Sequence, residues 1–386
     1  MKKIALLTST RADYGILKPL ILKIHKAKWC NFELLVTGSH LANEFGNTIN
    51  EIKNDGFNCD NKFDILMASD TPDSVCKSSA LATIALSNYF NNSNLDLIIM
   101  LGDRYEILAA AISALIHNVP IAHIHGGEST EGLIDEGIRH AVTKLSHIHF
   151  VSNTKYAKRV NQMGENPRYI HNVGALGIEN VLNHKVSSRY NLEKSLGTKF
   201  AKTNVMITYH PLTLRSKPDI KPLKHAIDYL LLQTDSKLFI SFPNADTFGM
   251  TIINYLKEIE NKFKDRIFLT ESFGQKNYFD LLNYVDCVVG NSSSGIIEVP
   301  YFNKPTVNIG NRQKGRIAPK SVITSNETKQ SIESAIKKCL SKSFSSNKNI
   351  FKERIYGNGN TSDKILKEIR SFLNTPLYLK KFHDFK

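Results

Sequence analysis

The sequence predicts an α/β protein of two doubly wound parallel sheets, with a cleft between them lined by the carboxyl ends of strands. Three observations carry this. Short, continuously apolar runs alternate with longer stretches of helical periodicity, and the alternation occurs twice in 386 residues. The apolar runs lack a polar-out face, as strands covered on both sides should. Most runs end in glycine-, serine- or charge-bearing turns, where open parallel sheets place their ligands.

In the first alternation, strands are expected at Lys3 to Thr8, Phe32 to Thr37, Leu95 to Leu101, Pro120 to His125, Ile148 to Ser152 and Tyr169 to Val173. Helical patterns fill 15–28, 41–55, 74–91, 104–117, 135–146 and 153–163. The pattern loosens over 174–203, and a second series of strands follows at Asn204 to Thr208, Lys237 to Phe242, Arg266 to Leu269, Asp286 to Val289 and Pro305 to Ile309. Its helices are expected at 220–233, 248–263, 276–284 and 328–341. The first domain is therefore drawn over 1–173 and the second over 174–359. The stretch 360–386, helical over roughly 360–374, is a candidate to pack back on the first.

Size allows two cores, and 41% hydrophobic and 22% charged residues are ordinary for a globular chain. The apolar run after Lys2 and Lys3 is too short for a signal peptide, and no stretch approaches the roughly 18 apolar residues of a membrane span. Five cysteines, none in a C-x-x-C pair, fit a reducing cytoplasm and neither a disulfide framework nor a zinc site. The net charge of +14 raises nucleic acid as a partner. The lysines are dispersed, however, and no nucleic-acid module is legible. Neither nucleic acid nor membrane is expected, and part of the charge suits a polyanionic small substrate.

The richest stretch is 285–316. Val285 to Val289 leads into Gly290-Asn291-Ser292-Ser293-Ser294-Gly295 and then Ile296, Ile297 and Val299. That reads as buried strand, tight turn and helix. Unpaired N–H groups at a helix N-terminus, with small hydroxyl side chains, favour phosphate. A second strand end, Gly310-Asn311-Arg312-Gln313, brings a guanidinium to the same edge. The plainer alternative is a capped helix after a strand. The turn after the first strand, Thr8 to Gly15, lacks G-x-G-x-x-G, and no P-loop is present, so a nucleoside diphosphate sugar fits better than NAD or ATP.

Taken in order, Thr-Arg-Ala-Asp-Tyr-Gly (10–15), Gly-Asp-Arg-Tyr-Glu (102–106), His-Gly-Gly-Glu (125–128), Ile-Arg-His (138–140), Asn-Ala-Asp-Thr (244–247), Gly-Asn-Ser-Ser-Ser-Gly (290–295) and Gly-Asn-Arg-Gln (310–313) resemble the hydrolysing UDP-N-acetylglucosamine 2-epimerases. The resemblance spans about residues 3 to 325. It implies two Rossmann-like domains in the glycosyltransferase-B arrangement, with UDP on the second. It also implies a UDP-sugar substrate, UDP as product, no redox cofactor, no metal, and a homodimer or homotetramer.

By position, Arg11, His210, Ser292, Ser293 and Arg312 would surround the diphosphate, with Ser294, Gly295 and Gln313 in the same two turns. Glu298 would accept from the ribose hydroxyls, and Tyr278 would stack on uracil. Asp103 would be the carboxylate nearest the sugar, assisted by Asp135 and the 123–128 loop, with Arg104 beside it. His210 would stabilise or protonate departing UDP. Asn244 and Asp246 are either sugar contacts or turn formers. Several relatives have a proton-transferring glutamate at the position of His125, so His125 or Glu128 must serve here. Arg139 is a further candidate substrate contact, with His140 beside it. Alternatively, His123 and His125 are strand-end residues bonded to backbone, Asp103 caps the 104–117 helix, and Arg139 and His140 face a neighbouring helix.

The implied chemistry is physically sensible. The C2 proton of N-acetylglucosamine is scarcely acidic, whereas UDP leaves well. Elimination to a 2-acetamidoglucal followed by hydration needs a carboxylate base and donors for developing diphosphate charge. The expected product is N-acetylmannosamine, for sialic acid synthesis. The same reaction on UDP-N,N'-diacetylbacillosamine, for legionaminic acid, is the alternative, because Ala68 to Pro72, Ser129 to Gly132 and Phe273 to Lys276 resemble that branch. A glycosyltransferase of the same fold is a rival that fold alone does not exclude. Gly-Asp-Arg and His-Gly-Gly-Glu resemble the hydrolysing branch more than a non-hydrolysing epimerase, and Asp103, Asp135 and His210 in register speak against a nucleotide-sugar sensor or basic RNA-binding protein.

Overall fold

The computed structural model describes residues 1–386 except 44–45, 68, 70, 132, 213–218, 233–234, 244–247, 376–378 and 385–386. The chain forms two compact units. One comprises Met1–Glu128, Ile134–Asn180 and Tyr356–Lys386, the other Ser129–Leu133 and Val181–Ile355.

The first unit holds β1 (Lys2–Thr8), β2 (Cys30–Thr37), β3 (Asn61–Phe63), β4 (Leu97–Leu101), β5 (Ile121–Ile124), β6 (Ile148–Val151) and β7 (Ile170–Asn172). Their order is β3-β2-β1-β4-β5-β6-β7, and the neighbouring strands run parallel. Every residue of β4 and β5 is buried, which is why these strands read as unbroken apolar runs. Helices cover both faces. Leu17, Leu20, Ile21 and Ile24 pack on one side of the sheet, and Leu86, Phe90, Ile107 and Ala110 on the other.

The helix Arg11–His25 begins four residues before the periodicity suggests, because Thr10 and Asp13 form a reciprocal capping box. The helix Thr361–Leu373 docks on it through Ile365, Ile369 and Phe372. Buried Glu179 receives Ser362 N–H at 2.7 Å and Lys23 Nζ at 3.1 Å.

The second unit holds β8 (Thr203–Thr208), β9 (Ser236–Ser241), β10 (Ile267–Thr270), β11 (Cys287–Gly290), β12 (Thr306–Ile309) and β13 (Val322–Ser325). They are ordered β10-β9-β8-β11-β12-β13, again with parallel neighbours. The two doubly wound α/β domains expected from the sequence are therefore present, as sheets of seven and six strands.

Several elements depart from expectation. The edge strands β3 and β13 go unread in the sequence because both are short and half exposed, with no continuous apolar run. The loose stretch 174–203 contains two helices, Leu176–Asn183 and Arg189–Leu196, each about two turns long and too short for periodicity to reveal. The helix expected over 41–55 is reduced to Ile49–Asn54. Among the described residues no helix is long and apolar enough to cross a membrane.

Candidate active site

In the first unit the chemistry gathers where β4, β5 and β6 end. After β4 the chain turns at Gly102, which has φ +83°. Asp103 then meets the guanidinium of Arg139 in an ion pair. Arg139, on the helix Ile134–Leu145, is only 1% exposed, while the Asp103 side chain remains 26% exposed. The carboxylate thus keeps access to solvent while its counter-charge is buried. Arg139 also donates to Glu136 Oε2 at 2.9 Å and to the Glu128 carbonyl at 3.1 Å. A buried guanidinium with this many acceptors is held in one orientation, and it aims Asp103.

The capping role considered for Asp103 is corrected by this geometry. Arg104 is the N-cap of the helix Tyr105–Ile116, without a side-chain capping bond, and its guanidinium reaches back to buried Glu106 at 3.1 Å. Arg139 does not merely face a neighbouring helix either. His140, one residue on, bonds Glu136 Oε1 at 3.2 Å. Asp135 occupies the first turn of the same helix and is half-buried.

The two histidines of the 123–125 segment divide. His123 is fully buried, with Nε2 2.7 Å from the Gly102 carbonyl and Nδ1 3.1 Å from Thr143 Oγ1. A carbonyl only accepts, so Nε2 carries the proton. Burial pushes the pKa down to about 3, leaving Nδ1 to accept from the hydroxyl. His123 is therefore the backbone-bonded residue of the plainer reading. His125 has a left-handed backbone, φ +68°, uncommon for a non-glycine residue. Its Nε2 faces the Leu176 N–H at 3.4 Å, so Nδ1 is turned toward Glu128, 3.5 Å away. Glu128 is 1% exposed and accepts from Ser152 Oγ at 2.8 Å. The pair can pass a proton between an imidazole and a buried carboxylate.

Arg11, the first residue of its helix, pairs with Glu51 at 2.9 Å on an exposed surface of this unit. Asp13 is consumed by the β1 turn, where it accepts from Ser9 N–H and Thr10 N–H at 3.0 Å each.

In the second unit, a different set converges where β8, β11 and β12 end. Asn291 clamps the backbone of His210. Its Oδ1 accepts the His210 N–H at 2.7 Å, and its Nδ2 donates to the His210 carbonyl at 2.8 Å. The Asn291 carbonyl in turn receives Gln313 Nε2 at 3.0 Å and Arg312 Nη1 at 3.3 Å. His210 and Gln313 are buried, Arg312 half-buried. Burial, and then the neighbouring Arg312 charge, push the His210 pKa well below its ordinary value. An incoming anion would offset the Arg312 charge, which is the setting in which this imidazole holds a proton. Gly290 permits the approach, since a Cβ there would lie 1.9 Å from the Thr208 carbonyl oxygen.

The helix after the serine turn is shorter than expected. It covers only Ser294–Ile297 and passes directly into the 3₁₀ turn Val299–Phe302, whose second residue is Pro300. A one-turn helix has little macrodipole, so local N–H groups and hydroxyls must supply any anion affinity. Ser292 and Ser293 are half-buried in this turn, and Gly295 is buried against Thr306. Ser294 links the Tyr278 hydroxyl to the Glu298 carboxylate. Burial raises both the Tyr278 and the Glu298 pKa values, the latter against the Ser294 bond. Asn244 and Asp246 lie outside the described residues.

Sequence reasoning overlooked Asn291, Glu136 and Ser152. Asn291 stands inside the quoted serine motif, and Glu136 lies three residues before Arg139, a spacing that makes helix pairs. Nothing in the sequence marks Ser152 as the donor to Glu128.

Comparison with known proteins agrees with these motifs. The family model described as UDP-N-acetylglucosamine 2-epimerase matches residues 22–370. A Campylobacter jejuni protein named GDP/UDP-N,N'-diacetylbacillosamine 2-epimerase (hydrolyzing) is 38% identical over 346 residues, covering 90% of this chain and 89% of its own. The Escherichia coli polysialic acid biosynthesis protein P7 is 38% identical over 326 residues, 84% of this chain and 82% of its own. The crystal structure of UDP-GlcNAc 2-epimerase from Neisseria meningitidis bound to UDP-GlcNAc has the same fold. Its TM-score is 0.80 at 16% identity, over 96% of this chain and 100% of that one. With a family model matching most of its length and relatives this similar, the chain belongs to the UDP-N-acetylglucosamine 2-epimerase family.

Proposed function

We propose that this enzyme removes UDP from a UDP-linked 2-acetamido sugar with loss of the C2 proton. Water then adds to the 2-acetamidoglucal from the face that gives the manno configuration, releasing free sugar and UDP. The observation that carries the reading is the half-exposed Asp103 carboxylate held against buried Arg139 at a strand end, in a chain 38% identical to a hydrolysing epimerase.

In this reading Asp103 takes the C2 proton, and the bond between C1 and the diphosphate oxygen breaks as the C1–C2 double bond forms. His125 and Glu128, with Asp135 nearby, return a proton to C2 during hydration. Arg312, His210, the Asn291 turn and Ser292 to Ser294 neutralise the charge that develops on UDP. Tyr278 and Glu298 receive the uridine. Arg104 holds the Asp103 turn through Glu106. No step calls for a redox cofactor or a metal.

UDP-N-acetylglucosamine is the substrate we assign first, with N-acetylmannosamine as product for sialic acid synthesis. UDP-N,N'-diacetylbacillosamine is the second reading, favoured by the name of the Campylobacter jejuni relative, which covers 90% of this chain. We place the enzyme in the cytoplasm, where UDP-sugars are made.

Self-association forms part of the proposal. The helices Pro72–Ser93 and Tyr105–Ile116 pack together and leave Leu81, Ile84, Ile112, Leu115 and Ile116 exposed. Neither 78–95 nor 107–119 contains a lysine, arginine, aspartate or glutamate. An uncharged apolar face meets its own copy without like-charge repulsion, so a homodimer through these helices fits a chain of charge +14.

The test is proton NMR of each UDP-sugar with the protein in heavy water. The expected result is free 2-epimerised sugar carrying deuterium at C2, with UDP. Product without C2 deuterium would overturn the elimination route, and two inert sugars would overturn the activity.

A further inference from the structure

The first unit contains a buried ionic cluster that the proposed chemistry does not use. At its centre is Glu165, 3% exposed. Lys144 reaches Oε1 at 2.8 Å, while His149 Nε2 and Lys380 Nζ reach Oε2 at 3.0 and 2.6 Å. Lys380 comes from the stretch 379–384, well beyond the helix Thr361–Leu373, and its ammonium also donates to the Ser146 carbonyl.

The docking of this segment is built in rather than incidental. His383 N–H bonds the Gly164 carbonyl at 2.9 Å, and Lys144 Nζ lies 4.6 Å from the centre of the Phe382 ring. Gly164 has φ +77°, and a Cβ there would fall 2.3 Å from the Phe382 ring. Residue 164 is thus small because an aromatic ring occupies its side-chain space.

The cluster grips the far end of the helix that carries Arg139. Lys144 belongs to the last turn of Ile134–Leu145, and Ser146 closes that turn by donating to the Val142 carbonyl at 2.7 Å. In the same turn, the Thr143 hydroxyl lies 2.8 Å from the Arg139 carbonyl and 3.1 Å from His123 Nδ1, and His123 bonds the carbonyl of Gly102 beside Asp103. His149 is the cross-strand partner of His123. A twelve-residue helix moves as a rigid rod, so what fixes Lys144 and Ser146 also fixes the guanidinium that aims Asp103.

We infer that Lys380 is a positioning residue for the Asp103–Arg139 centre, acting from outside the site by locking the 134–145 helix onto Glu165 and Ser146. This rests on the assignment of that centre in the proposed function.

The experiment compares wild type, Lys380→Met and Asp103→Asn for kcat, KM, UDP affinity by calorimetry and melting temperature. The expected result for Lys380→Met is a fall in kcat of about 10- to 100-fold, the scale of a slightly misplaced catalytic group, with UDP affinity unchanged. A purely structural role would lower the melting temperature and leave kcat within about threefold at temperatures where the variant is folded, and that result overturns the inference. If Lys380→Met does not fold, Glu165→Gln/Lys380→Met, which leaves no uncompensated carboxylate, replaces it with the same expectation. An active Asp103→Asn would mean the centre itself is misassigned. An inactive Asp103→Asn beside an unimpaired Lys380 variant would refute only the inference about Lys380.

Discussion

Replacing Asp103 with asparagine preserves the shape of the β4 turn and removes one charge. A general base contributes about 10²- to 10⁴-fold to a proton transfer, or about 2.7–5.4 kcal/mol of barrier. The same change weakens a charge-assisted bond to buried Arg139, about 1.5–3 kcal/mol for such bonds. Glu136, 2.9 Å away, and the Glu128 carbonyl remain as acceptors, so the lower end of that range applies. Against a global stability of about 5–15 kcal/mol, roughly nine-tenths or more of the variant stays folded. Population loss therefore accounts for almost none of a hundredfold fall in rate.

The assay is initial-rate release of UDP from saturating substrate, with melting temperature and UDP calorimetry on the same preparation. The expected result is turnover at least about 100-fold down, melting lower by a few degrees, and unchanged UDP affinity. Turnover within about tenfold of wild type refutes the base assignment. Lost UDP affinity refutes the division of labour between the two units.

Three further outcomes are expected. Arg312→Ala should weaken UDP binding about tenfold or more, because it removes a cation from the Asn291 turn, and calorimetry checks this directly. Burial alone would raise the Glu165 pKa, but hydrogen bonds from His149, Lys144 and Lys380 outweigh it and hold the value at about 2 against a reference of 4.5. A depressed carboxylate contributes stability above its unfolded pKa and loses it on acidification. About 3 kcal/mol should therefore disappear between pH 4.5 and pH 2, and a Glu165→Gln melting curve lacking that slope would confirm the source. Ile84→Glu combined with Ile116→Glu should convert an oligomer to monomer in light scattering, and an unchanged mass would exclude that face as the interface.

Much of this protein is legible without coordinates because parallel strands buried on both faces must be apolar throughout. Leu97–Leu101 and Ile121–Ile124 have no solvent face to encode, so their runs stand out, and turns must follow them. The glycine- and serine-bearing strand ends are equally visible, since φ > 0 and close backbone approach restrict which residues fit. Length and periodicity thus determined two doubly wound sheets, and motif order determined the family. What the sequence could not carry was partnership between residues distant in the chain. That Asp103 answers to Arg139 rather than to its own helix, that Asn291 clamps His210, and that Lys380 completes a cluster around Glu165 are facts of tertiary packing. Periodicity places a side chain on a face, but only the packed sheet decides which charge it meets there.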